Sequence, residues 1–80
     1  MSNGVDVGEA LLMALELKYE GDIAVGKANI EVYLDNAAGI GEHTNIIDAV
    51  DSQAEIVAEA SEKLEIVRDL LSTREEKWKT

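Results

Sequence analysis

Eighty residues with seventeen Asp and Glu against seven Lys and Arg carry a formal charge of −10, and the chain has no cysteine, proline or phenylalanine. Such a chain makes one domain at most, whose own core supplies only about 3–5 kcal/mol, with no thiols for a disulfide framework or a thiolate zinc site. The acidic balance excludes direct nucleic-acid binding, which needs a cationic patch, and no apolar run approaches the roughly 20 residues of a membrane span.

Met1–Gly8 has neither the cationic start nor the apolar stretch of a signal peptide, so a cytoplasmic protein is expected. Frequent Ala, Leu, Glu and Ile favour helix over sheet. Asp6 followed three residues later by Glu9 has the form of a capping box, with both carboxylates at the positive end of a helix dipole. A first helix is therefore predicted over about 7–36. Along it Leu12, Leu15, Tyr19, Ile23, Ile30 and Tyr33 recur at helical spacing, with Gly26 filling the step between Ile23 and Ile30. The expected stop is Ala37-Ala-Gly-Ile40, where glycine can accept the left-handed conformation and Ile40 can fold back on Leu34, as in a Schellman cap.

The connector over 37–43 is short, so the second helix returns antiparallel beside the first. It is predicted over about 44–72, starting at His43 or Thr44, with Thr44 the better N-cap and Asp48 placed favourably for the dipole. Ile47, Val50, Ala54, Val57, Ser61, Leu64, Arg68 and Leu71 form a seam in steps of three and four. Ile46, Ala49, Ile56, Ala60, Val67 and Leu70 form a second stripe offset by one position, and one partner helix cannot cover both. Residues 73–80 read as a C-terminal extension.

The excess of apolar side chains is greatest where the open ends of the two arms meet. Leu11, Met13, Leu17, Ile66, Leu70 and Leu71 are the candidate oligomer-interface residues there, since such a patch is a liability in a monomer. The expected architecture is an all-α antiparallel hairpin forming one domain over 1–80 and assembling as a homodimer or higher oligomer into a four-helix bundle.

Several residues invite a functional reading. Gly21 and Gly26 lie inside the first helix, where each costs about 0.8–1 kcal/mol relative to alanine; close helix approach is the compensating explanation, a locally weak or kinked helix the plain one. His43 is the only histidine, with no cysteine or second histidine to complete a metal site and no nucleophile marked beside it. It reads as a turn or capping residue, and only a symmetric assembly joining several copies of Glu42 and His43 would make it a metal site. Asp48, Asp51, Glu55, Glu59, Glu62, Glu65 and Asp69 share one side of the second helix. This acidic ridge reads as a solvated face; alternatively it imitates a row of phosphates and occupies a basic, nucleic-acid-binding protein. Tyr19 and Tyr33 read as core residues with hydroxyls at the edge. Trp78 is either a partner anchor or part of a frayed end. No phosphate loop, nucleophile motif or paired-carboxylate cleft is present, so no catalytic, cofactor or metal residues are assigned.

The stretch Lys27-Ala-Asn-Ile-Glu-Val-Tyr-Leu-Asp-Asn-Ala-Ala-Gly-Ile-Gly-Glu-His43 resembles segments of small uncharacterised proteins of marine T4-like tailed phages, with Thr44 where such relatives are expected to carry proline. The resemblance implies a helical hairpin from a marine phage or microbe, hence the cytoplasm of a microbe or phage-infected host, and brings no active site with it. The functional expectation is a self-associating interaction or structural accessory protein rather than an enzyme. Its partners are itself and possible further proteins, not nucleic acid or membrane; the alternative is an acidic decoy or inhibitor of a basic protein.

Overall fold

Asp6 starts the first helix as its composition requires. Its Oδ1 accepts the Gly8 N–H at 2.9 Å and its carbonyl accepts the Ala10 N–H at 2.9 Å, the pattern of an N-cap that satisfies otherwise orphaned donors. The computed structural model describes residues 6–36 and 43–79, with side chains over 6–36 and 45–75. Helix α1 spans Val7–Asn36 and helix α2 spans His43–Lys79, and together they form an all-α antiparallel hairpin. The expected turn and glycine cap fall outside the described residues, as do the side chains of His43, Thr44 and Trp78.

Helix α2 does not stop at Ser72. It continues through the expected extension to Lys79, because Thr73-Arg-Glu-Glu-Lys-Trp-Lys79 contains no helix breaker and is rich in good helix formers. Arg74 within this segment reaches across to Asp6, tying the added turns to the start of α1.

The two helices meet along seams that alternate steps of four and three. On α1 the inward positions are Leu12, Glu16, Tyr19, Ile23, Gly26, Ile30 and Tyr33. Leu15, expected on this stripe, is exposed at its edge, and Glu16 takes the place, held there by Arg68 of α2. On α2 the inward positions are Ile46, Val50, Gln53, Val57, Ala60, Leu64, Val67, Leu71 and Arg74. The expected seam through Ile47, Ala54, Ser61 and Arg68 is corrected at those four positions, all of which are exposed. The helix is rotated so that alternate members come from the neighbouring stripe. The polar residue that completes the rotated seam, Gln53, accepts a hydrogen bond from Asn29 Nδ2 at 3.0 Å.

Gly26 sits on the seam, tight against α2. A Cβ built on it would lie 2.5 Å from Val57 Cγ2 and 3.5 Å from the Gln53 carbonyl oxygen, so this glycine is a packing residue. Gly21 has nothing within 4 Å of such an atom, so packing inside the hairpin gives it no reason. The result is a rod with principal extents of 62 × 19 × 13 Å. Among the described residues its buried apolar side chains are Ile46, Ala60, Leu64 and Val67. Two helices bury only the strip between them.

Candidate interaction surface

The open end is fastened by charge. Arg68 of α2 forks between two carboxylates one turn apart on α1, with Nε 3.1 Å from Glu16 and an Nη 2.7 Å from Glu20. Hydrogen bonding to Glu16, reinforced by Glu20, raises the Arg68 pKa above its usual value. Arg74 clasps Asp6, and its side-chain hydrogen bond, followed by backbone N–H groups at Glu9 and Gly8, holds the Asp6 carboxyl below its ordinary range. Gly8 makes room for this clasp, since a Cβ there would lie 2.8 Å from an Arg74 nitrogen. Midway along the rod, Lys18 and Lys63 lie 5.6 and 5.8 Å from the Tyr19 ring centroid, and each is paired on its own helix, with Asp22 and Glu59 respectively. The Glu59 carboxylate raises the Lys63 pKa. These contacts place charged groups along the sides of the hairpin.

The six interface candidates do not form one patch. Leu71 is half-buried in the seam. Leu70 lies beside Leu12 and Arg74 on one side of the rod, and Met13 beside Glu9 and Arg68 on the other. Ile66 lies with Glu65 and Asp69 on the exposed side of α2. Leu11 and Leu17 are on α1, 62% and 69% exposed. The candidates therefore encircle the open end.

A broader apolar surface was not singled out by following leucines. At about 100° per residue, Val7, Leu11, Ala14, Leu17, Gly21, Val25, Ala28 and Val32 fall within an arc about 120° wide on the side of α1 turned away from α2. All of them are exposed, and Lys18 and Asp35 are the only charged residues in the arc. The charges Glu9, Glu16, Glu20, Lys27 and Glu31 gather instead on one flank. The signal in the sequence was the alanines and valines of α1, which leave the helix apolar on nearly every side.

The acidic ridge of α2 is exposed throughout, and among its residues Glu59 alone makes an ion pair, 3.0 Å from Lys63. Among the described residues no group of three or more His, Asp or Glu is arranged to hold a metal ion, and no helix is long and apolar enough to cross a membrane. Comparison with protein families, with curated proteins and with solved structures finds no match.

Proposed function

We propose that this protein is a self-associating helical interaction module, an accessory that contributes to an assembly and catalyses no reaction of its own. One observation carries the reading. Four apolar side chains are buried, while twelve large ones, from Val7 to Leu70, remain exposed among the described residues. Fully burying a side chain of that size contributes about 1.5–3 kcal/mol, so covering even a few rivals the stability that a two-helix core provides. Pairing two hairpins supplies such cover in a four-helix assembly and leaves both acidic ridges in water.

Light scattering coupled to size exclusion at micromolar concentration tests the proposal. The expected result is a mass of at least twice 8.7 kDa. A compact, cooperatively folded monomer refutes it. The ridge serves solubility in this reading, so reversing Glu55, Glu59 and Glu62 to lysine should change salt response and solubility while leaving the assembled mass unchanged.

A further inference from the structure

The geometry points to the outer face of α1 packing antiparallel against the same face of a second copy, an inference that rests on the self-association proposed above. The exposed arc of α1 is at least as wide as the stripe a surface helix normally turns toward a core. Within it Val7, Leu11, Ala14, Lys18, Gly21, Val25, Ala28 and Val32 recur in alternating steps of four and three, the spacing of a helix–helix seam.

That seam is self-complementary. With a two-fold axis placed between Lys18 and Gly21, Leu11 of one copy faces Ala28 of the other, Ala14 faces Val25, Val7 faces Val32 and Lys18 faces Gly21. Each pairing occurs twice, as an isologous interface requires, and Leu11 meets Ala28, Val25 meets Ala14 and Lys18 meets Gly21, a larger residue against a smaller one each time. Gly21, for which the hairpin offers no packing partner, leaves room for the aliphatic stem of Lys18 from the second copy, whose ammonium reaches outward to Asp22 on its own helix.

Charge and area select a second copy as the occupant. Each chain carries −10, so like chains can meet only where acidic side chains are sparse, and this arc is such a place. Packing there leaves the two α2 ridges on the outer flanks. A compact 8.7 kDa monomer exposes about 4,700 Å² and each partner of a standard interface contributes about 800 Å², whereas this hairpin exposes 6112 Å². The surplus is sufficient for the interface.

The absence of native cysteine makes the test direct. Ala14→Cys and Val25→Cys chains are prepared separately, then mixed under reducing conditions and oxidised. Antiparallel packing sets the two copies of residue 14 about 16 Å apart along the axis, beyond the roughly 7 Å reach between disulfide-bonded Cα atoms. Neither variant alone should form a covalent dimer, and the mixture should form one joining unlike chains. Gly21→Glu should halve the mass seen by light scattering while helicity persists, whereas Ala58→Glu, which adds the same charge on the exposed side of α2, should leave the mass unchanged. Covalent dimers of either variant alone would indicate parallel packing and overturn the inference, as would a mixture that does not link. A Gly21→Glu chain that keeps its mass would remove this face and leave self-association standing; a monomeric wild type would remove both.

Discussion

Replacing Gly26 by alanine sets two effects of known sign against each other. Removing a glycine from a helix interior favours folding by about 0.8–1 kcal/mol. The added methyl, however, would lie 2.5 Å from Val57 Cγ2, with the Gln53 backbone behind it. Valine in a helix has one strongly preferred rotamer, so that methyl group cannot swing aside cheaply. Either Val57 leaves its rotamer or the helices part, and overpacking of this kind costs about 1–3 kcal/mol. The steric cost prevails, and a net loss near 1 kcal/mol lowers Tm by about 4–8 °C in a domain of this size. Thermal melts followed by far-ultraviolet circular dichroism, at matched chain concentration because association is linked to folding, provide the measurement. In the Gly26→Ala background, Val57→Ala should cost less than it does in the wild type, with a coupling of about 0.5–3 kcal/mol. If Gly26→Ala instead raises Tm by its helix-propensity gain, with no coupling to Val57, the close approach of the helices is refuted.

Three further substitutions probe the fastenings and the core. Asp6→Asn keeps a good N-cap but removes the charge that Arg74 engages. Because the folded Asp6 pKa lies below its ordinary 3.8, its contribution is complete above that value and disappears as pH falls through the folded pKa. The stability gap between wild type and variant should therefore be constant near neutrality and close in acid below about pH 4, and a gap that persists in strong acid contradicts the assignment. Arg68→Ala leaves Glu16 and Glu20 facing each other without their shared cation, so it should lower Tm at low ionic strength and by less in concentrated salt; a salt-independent loss would mean that Arg68 acts through packing alone. Leu64→Ala removes one of the few buried side chains at a cost of about 2–5 kcal/mol, comparable with what so small a core supplies, so most helical signal should be lost at room temperature. A cooperative melt close to that of the wild type would show that stability resides elsewhere.

The hairpin was legible in the sequence because its boundaries are set by local chemistry. Asp6 caps α1, and the glycines near residue 40 interrupt an otherwise uniform helical pattern. The rotation of α2 was less legible. Its apolar side is broad enough that Ile47 and Ile46, or Ala54 and Gln53, compete for the same layer, and a search for apolar residues passes over Gln53. In the structure Gln53 meets Asn29 across the interface, a partner that no local pattern in α2 reveals. Glu16 was missed for the same reason, since a carboxylate enters the seam only where an arginine such as Arg68 comes to meet it. The end of α2 was placed too early because its last turns look too charged to pack, whereas Arg74 packs through its charge. As for the surface, leucines drew attention to the open end, while the quieter run of valine, alanine and glycine along α1 became visible only once the side of α1 facing α2 was known.

The placement of the ion pairs also bears on the order in which the arms close. Asn29 and Gln53 are 24 residues apart in the chain, Arg68 is 52 and 48 residues from Glu16 and Glu20, and Arg74 is 68 residues from Asp6. Forming the outermost contact first, instead of the one nearest the turn, costs about 0.9 kcal/mol more in loop closure. Pairing therefore favours zipping outward from the turn, and the arginines join last. Pulled apart by its two ends, the rod would meet its strongest electrostatic resistance at the outset, and once Asp6 and Arg74 had separated it would open layer by layer like a released clasp.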